Sequence, residues 1–172
     1  MGNVVGGGIT MTPEARLEAA GMRLPELGAR GGLYVPGVAY GDLLFVSGQT
    51  SVPGAENGVC GRVGTDVTVE EAQVAAELCA LRCLAEAKAV LHELAYVVRV
   101  IKVTGYVRSS ADFGEQARVL DGASRVFIEA FGEAGRHARA AIGVGELPRG
   151  AAVEVEAVFG VQPQPEVGVK VA

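Results

Sequence analysis

The sequence predicts an α+β protein with two layers, in which one mixed β-sheet carries two helices on one face. Apolar side chains recur at helical spacing after Thr68 and again after Ser110, which predicts two substantial helices. Other segments alternate apolar with polar residues, as half-buried strands do. The order of the elements is ββ, α, β, α, ββ, with no internal repeat. With 172 residues, 49% of them apolar, the chain can build one core, so one domain is expected.

The ends of the chain lack the pattern of firm secondary structure. Residues 1–11 are rich in glycine and residues 161–172 alternate proline with polar residues, so both are expected to be flexible. Between them, residues 12–31 are expected to form a short peripheral helix and a linker, and residues 32–160 the domain. Thr12 and Pro13 are typical of a helix start, and Gly21 is typical of a stop.

Two strands and a long helix are predicted next. The segment from Leu33 to Gln49 has two apolar runs around Gly41-Asp42, which predicts a β-hairpin with a tight turn. Thr68 and Glu71 form a capping box, in which each side chain satisfies a free backbone N–H of the other. A long helix therefore begins there.

The second half is expected to give one strand, one helix and a final hairpin. The run from Val97 to Val107 suits a strand with one buried face. A helix is predicted to start at Ser110 and Asp112 and to end at Gly132 and Gly135. The two last extended segments are expected to pair as a hairpin: Ala138–Val144 and Ala151–Phe159.

One face of this sheet has no predicted helix to cover it. By the alternation of the last strand, Glu154 and Glu156 point to that open face together with several apolar side chains. A wide, partly apolar face usually meets a partner, so oligomerisation is expected.

Composition excludes several classes of function. The formal net charge of −5 disfavours nucleic-acid binding. No stretch is long and apolar enough to span a membrane, and no signal sequence is seen, so a cytoplasmic protein is expected. The three cysteines are expected to be reduced, and Cys79 and Cys83 to pack as small apolar groups. Neither histidine lies in a metal-ligand pattern, so no metal site is predicted.

Arg139 and Glu154 are the leading candidates for chemistry. Arg139 lies in an apolar strand, where its guanidinium needs an anion. That anion is either Glu154 or Glu156 across the hairpin, in a structural ion pair, or the carboxylate of a substrate bound bidentately. Glu154, if buried at a subunit junction, should have a raised pKa and could hold the proton of an attacking water.

Other residues give weaker signals. Tyr34 and the pair Ser47-Gly48 lie at strand ends, where a hydroxyl and a bare backbone can approach a ligand. His137 is expected on the same face as Arg139, either as a second acid or base or as a structural histidine at the rim.

These residues resemble the Rid/YjgF reactive-intermediate deaminase family over Gly32–Phe159. The resemblance rests on Tyr34 and on motifs that stand in the same order here: GDLLFVSGQ ending at Gln49, GRVGTDVTVEEAQ from Gly61, KVTGYV followed by SADF, ARAAIGV with Arg139, and ELPRGAAVEVEAVF with Glu154. The N-terminal helix and the sequence around His137 are similar to a longer-chain branch of that family.

The resemblance implies a chorismate-mutase-like subunit that forms a homotrimer around a central barrel, with ligand clefts between neighbours. It implies that Arg139 binds a substrate carboxylate, that Glu154 positions a water, and that Tyr34 closes the cleft from the adjacent subunit. Backbone groups near Ala141 and Gly48 would hold the reacting carbon and the water.

The implied reaction hydrolyses 2-imino or enamine acids to 2-keto acids and ammonia without a cofactor. At two positions this chain departs from many relatives. Ala117, beside Gln116, replaces an asparagine, and Ala141 replaces a cysteine. Gln116 is therefore a further candidate for substrate binding.

Two other functions are compatible with the family. One is a non-catalytic module that binds a small carboxylate in the same clefts. The other, a ribonuclease or translation inhibitor, suits the acidic chain poorly, because two isolated histidines supply neither phosphate affinity nor an acid/base pair.

Overall fold

The protein is described by a computed structural model that covers residues 11–28, 32–51 and 58–162. Most of the two tails expected to be flexible, residues 1–10 and 163–172, lies outside the described residues. The elements in chain order are α1 Pro13–Ala19, β1 Gly37–Tyr40, β2 Leu43–Thr50, α2 Val69–Leu91, β3 Val97–Arg108, α3 Gln116–Val119, α4 Asp121–Phe131, β4 Ala138–Val144 and β5 Val153–Val161.

The five strands form one mixed sheet in the order β1-β2-β5-β3-β4. Neighbouring strands are antiparallel except β3 and β4, which run parallel. The helices cover one face, and the core lies between them and the sheet. The predicted α+β, two-layer class is therefore correct.

Local signals in the first half act as expected. The Thr68 hydroxyl oxygen accepts a hydrogen bond from the Glu71 backbone N–H, and the Glu71 carboxylate accepts one from the Thr68 backbone N–H, so the predicted capping box starts α2. Gly41 has a φ of 60° in the turn between β1 and β2, a conformation that glycine adopts without steric cost. The first hairpin is confirmed.

The N-terminal helix is not peripheral, as the sequence led us to expect. Leu17 is 1% exposed and belongs to the main core. Arg16 Nε donates to the Glu129 carbonyl of α4 at 2.8 Å, and Glu14 forms an ion pair with Lys88 of α2. Helix α1 therefore packs on both longer helices as part of the same body.

The second helical region starts later than predicted. Ser110 and Asp112 lie in a loop, because the Ser110 N–H donates to the Val63 carbonyl at 3.1 Å and a turn follows at Phe113. The helix begins only at Gln116, and a break at Leu120 divides it into α3 and α4. Pairing with a distant loop overrides the local helix signal.

The predicted final hairpin is wrong. Strand β4 pairs only with β3 among the described strands, and β5 is inserted between β2 and β3. Strand β5 buries alternate side chains under α2, which requires a central position in the sheet. The α3–α4 crossover returns the chain parallel to β3, so β4 takes the edge.

Two cysteine thiols pack between helix and sheet, as predicted. Cys79 and Cys83 are fully buried, and their sulfurs lie 3.4 and 3.3 Å from backbone oxygens of β5. Burial raises the pKa of Cys83 far above its ordinary value, and Glu86 adds to the effect. Among the described residues, no helix is long and apolar enough to cross a bilayer.

Candidate functional site

The predicted site residues lie in three regions of the chain. Four of them lie at the edge formed by β4, on the helix side: Arg139, His137, Ala141 and Gln116. Gly48 and Glu154 lie together on the open face. Tyr34 precedes β1, which forms the opposite edge of the sheet.

Arg139 is held by α3 and α4. Its Nη1 donates to Asp121 Oδ1 and to Ser124 Oγ, both at 2.9 Å, and its Nη2 donates to the Ala117 carbonyl at 2.9 Å. The side chain remains 23% exposed. A guanidinium has five N–H donors, so Nε and one hydrogen of Nη2 have no partner among the described residues.

The alternative that Arg139 pairs with Glu154 or Glu156 across a hairpin is wrong. Strands β4 and β5 are not neighbours, and the anion is Asp121, 18 residues earlier in the chain. Sequence reasoning missed both Asp121 and Ser124. No local signal identifies them, because their contact with β4 depends on how the crossover packs.

His137 lies on the same side as Arg139, as predicted. Its Nδ1 is 2.7 Å from the Gly135 carbonyl oxygen and its Nε2 is 3.1 Å from Ser124 Oγ. Its ring packs edge-on against Phe127. Burial lowers the pKa of His137 below its usual value and the nearby Arg139 charge lowers it further, although the hydrogen bond to Gly135 opposes this.

A cleft of about 530 Å³ opens beyond the carboxyl ends of the parallel strands β3 and β4. Ligands commonly bind outside the carboxyl ends of parallel strands. Polar groups of Arg62, Ser109 and Gln116 line it, with Phe113 and Gly143. The Gln116 amide nitrogen donates to the Phe113 carbonyl at 2.7 Å, which leaves its oxygen free to accept.

Ala141 lies between Arg139 and this cleft. It shares one face of β4 with Arg139 and Gly143, since residues two apart along a strand point the same way. Neither Ala141 nor Ala117 offers a polar side chain, so any polar contact there must come from the backbone. The Ala117 carbonyl already accepts from Arg139.

Gly48 and Glu154 are in direct contact on the open face. The ladder between β2 and β5 shifts register between Val46 and Gln49, so a bulge falls at Ser47-Gly48. A Cβ placed on Gly48 would lie 2.0 Å from Glu154 Oε1. The glycine therefore makes room for the carboxylate.

The pKa of Glu154 is raised above its ordinary value. Burial is the larger cause and the neighbouring negative charge of Glu156 is the second. The Tyr106 hydroxyl donates to Glu156 Oε1 at 3.4 Å, so a phenol and a second carboxylate accompany Glu154 on this face. Sequence reasoning missed Tyr106, although its position in an alternating strand placed it there.

Ser47 fixes the segment that carries Tyr34. Its hydroxyl donates to the Val35 carbonyl at 2.8 Å, and its N–H donates to the Pro36 carbonyl at 2.9 Å. Tyr34 itself is half exposed. The serine hydroxyl thus has a structural partner, while the tyrosine is free to meet another molecule.

Arg139 and Glu154 lie on opposite faces of the same sheet. Val103, which is fully buried under the helices, pairs with Arg139. Glu154 pairs instead with Tyr106 on the open side. Since paired residues share a face, a single copy of the chain cannot direct both side chains to one ligand.

Comparisons with known proteins agree with this fold. The family model described as "YjgF/chorismate mutase-like, putative endoribonuclease" matches residues 14–155. Protein TCP17 of Trypanosoma cruzi is 45% identical over 147 residues, which are 84% of this chain and 91% of that protein.

Two crystal structures extend the comparison. Atu1372 of Agrobacterium tumefaciens has a TM-score of 0.79 and 44% identity, over 87% of this chain and 92% of that one. TdcF of E. coli, with bound serine, has a TM-score of 0.53 and 28% identity, over 79% and 92%. The sheet topology, the extent of the family match and these relatives together show that the chain belongs to the YjgF/chorismate-mutase-like family.

Proposed function

We propose that the protein is a hydrolytic deaminase that converts reactive 2-imino and enamine acids to 2-keto acids and ammonia. The single observation that carries this proposal is the hydrogen bonding of the Arg139 guanidinium. Three hydrogen bonds fix its guanidinium at an accessible sheet edge, and Nε–H and one Nη2–H remain for an incoming carboxylate. A positioned guanidinium suits planar carboxylate recognition better than an ammonium does.

The bound serine of TdcF supports this class of ligand. Serine is an α-amino acid, and a 2-imino acid shares its carboxylate and its nitrogen-bearing carbon. With the carboxylate at Arg139, the reacting carbon would lie along β4 near the Ala141 backbone. The substrate side chain would then extend toward the cleft at Gln116 and Gly143.

Glu154 is the proposed acid/base. A carboxyl group with a raised pKa keeps its proton to a higher pH than an ordinary glutamate does and can exchange it with a water. The water adds to the electrophilic imine carbon, a proton moves to nitrogen, and the carbinolamine releases ammonia. The reaction needs no cofactor, because the imine carbon is already electrophilic.

The site we propose requires more than one copy of the chain. Arg139 and Glu154 face opposite sides of one sheet, and Tyr34 lies at the far edge, four strand spacings or about 19 Å away. A homotrimer would place the open face and the Tyr34 segment of one subunit against β4 of the next. Exposed apolar side chains on the open face support burial there: Val38, Phe45, Ile101 and Ile142.

The test measures turnover of freshly generated 2-iminobutanoate and 2-iminopropanoate by the purified full chain. Arg139→Ala should lower kcat/KM by roughly 30- to 5,000-fold, as expected for loss of a charge-paired contact of about 2–5 kcal/mol with the substrate. Arg136→Ala is the matched control, because the Arg136 side chain is 63% exposed and forms its ion pair with the neighbouring Glu133. Light scattering should show trimers for all three proteins.

A wild-type protein that does not accelerate loss of either imine refutes the deaminase. One observation favours the alternative of a non-catalytic binding protein: Ala117 and Ala141, which lie near Arg139, supply no side chain for chemistry. Calorimetry with 2-oxobutanoate separates the two functions, since binding without turnover of any imine would support the alternative. Lone subunits in solution would refute the shared site.

A further inference from the structure

His137, Ser124 and Arg139 form a continuous chain of hydrogen bonds behind the proposed site. His137 Nε2 lies 3.1 Å from Ser124 Oγ, and Arg139 Nη1 lies 2.9 Å from the same oxygen. On the other side of the ring, Nδ1 lies 2.7 Å from the Gly135 carbonyl oxygen. Ser124 is therefore the only link between the imidazole and the guanidinium in this chain of bonds.

The chemistry of the four groups fixes the direction of each bond. A carbonyl oxygen only accepts, so His137 Nδ1 carries a hydrogen and donates it to Gly135. In the neutral ring Nε2 is then an acceptor, and Ser124 must donate its hydroxyl hydrogen to it. The serine oxygen thereby keeps its lone pairs for Arg139.

We propose that His137 is a positioning residue that acts through Ser124 to hold the Arg139 guanidinium for carboxylate binding. The proposal rests on the function proposed above for Arg139. It assigns His137 no contact with substrate, in contrast to the expectation that this histidine binds substrate or acts as a second acid or base. Its contribution is to fix the rotamer of the Ser124 hydroxyl, which would otherwise be free to turn.

The surroundings of His137 favour the neutral ring, in which Nε2 can accept a hydrogen bond. Burial is the larger cause of its lowered pKa and the positive charge of Arg139 lowers it further, while the hydrogen bond to the Gly135 carbonyl opposes them. The elements around the ring carry further charged groups: Asp121, Arg125 and Glu129 on α4, Glu133 and Arg136 before β4, and Lys102 on β3.

The first experiment compares two replacements of His137, one that keeps a hydrogen-bond acceptor and one that removes it. His137→Gln keeps an acceptor for the Ser124 hydroxyl, whereas His137→Leu keeps apolar volume against Phe127 and removes the acceptor. We expect His137→Leu to weaken 2-oxobutanoate binding roughly two- to tenfold, the range of one hydrogen bond, and His137→Gln to restore affinity to within about twofold of wild type. Equal losses in both variants would contradict positioning and indicate general destabilisation.

A double-mutant cycle tests the route through Ser124. Ser124→Ala alone should weaken binding at least as much as His137→Leu, because it also removes an acceptor of Arg139, and the double variant should be no weaker than Ser124→Ala. Additive losses would show that His137 acts independently of the serine and would overturn the proposal. His92→Gln is the matched histidine control, because His92 lies at the end of α2, on a different element.

NMR of the imidazole nitrogens tests the chain of hydrogen bonds in the protein without any ligand, through the tautomer and the pKa of His137. His137 should be the tautomer with hydrogen on Nδ1, and its pKa should rise in Arg139→Ala, because a positive charge that lowers it is removed. Arg136→Ala should leave that pKa unchanged. A hydrogen on Nε2 of the neutral ring overturns the proposal outright. Wild-type protein that accelerates the hydrolysis of neither imine refutes the proposed function, and the NMR result still shows whether the hydrogen-bond chain exists.

Discussion

Replacement of Gly48 by alanine should displace the Glu154 carboxylate while leaving the stability of the fold almost unchanged. The added Cβ would lie 2.0 Å from Glu154 Oε1 and 3.0 Å from its Cδ, where ordinary van der Waals contact begins at 3.4 Å. The carboxylate must therefore move by about 1.4 Å, the difference between 2.0 and 3.4 Å. The nearest atoms belong to the end of a flexible side chain, so the backbone can stay in place.

The expected effects on activity and stability differ widely. A misplacement of about 1 Å in a reacting group can lower a rate roughly 100-fold. The unfolding free energy should change by less than about 1 kcal/mol, because Gly48 is not in the left-handed region and alanine restricts the unfolded chain. Imine hydrolysis and urea unfolding measure the two quantities on the same preparations.

Gly28→Ala is the matched control, because no atom of the part of the chain that the structure describes lies within 4 Å of a Cβ at that position. If Gly48→Ala acts through the carboxylate, it should have no further effect on kcat in a Glu154→Ala background. Normal turnover in Gly48→Ala would refute the assignment of Glu154 as acid/base. A large loss of stability would refute the inference that only the end of the side chain moves.

Three further predictions concern the fold and its titration. Gly122→Ala should lower the unfolding free energy by about 1–3 kcal/mol in urea titrations, because its Cβ would lie 2.2 Å from the Gln73 backbone oxygen, which cannot move cheaply. Since the folded state raises the pKa of Glu154, the carboxylate binds its proton more tightly when folded, and ionisation destabilises the fold. The stability of Glu154→Gln relative to wild type should thus increase as the pH rises above 4.5, the ordinary glutamate value, and level off above the raised pKa; a constant difference would contradict the shift. A thiol reagent should modify Cys60 alone in the native protein and all three cysteines after unfolding; fast native reaction of Cys83 would disprove its burial.

Much of the secondary structure could be predicted because its causes are local. The Thr68–Glu71 box starts a helix through bonds three residues apart, and Gly41 turns a hairpin through its own φ. The alternation in β5 likewise indicated that Glu154 leaves the helix-covered face, which the burial pattern confirms. The pKa of Glu154 is raised, as expected for a buried carboxylate, by burial and by the neighbouring charge of Glu156.

The site was less predictable, because it depends on contacts between distant segments. The sequence identified Arg139 as a cation in need of an anion, but it did not identify Asp121 or Ser124 as partners. It left His137 either as a second acid or base or as a structural histidine at the rim, and its contact with Ser124 could not be read from the sequence.

The sequence by itself determined the fold class, the main elements and the face to which Glu154 points, since each follows from propensity and periodicity within a few residues. Only the tertiary structure decided that β4 lies at the sheet edge parallel to β3 and that β5 lies at the centre. That choice separates Arg139 from Glu154 by the thickness of the sheet. Strand order depends on which distant segments bury the most apolar surface together, and no local pattern encodes that comparison.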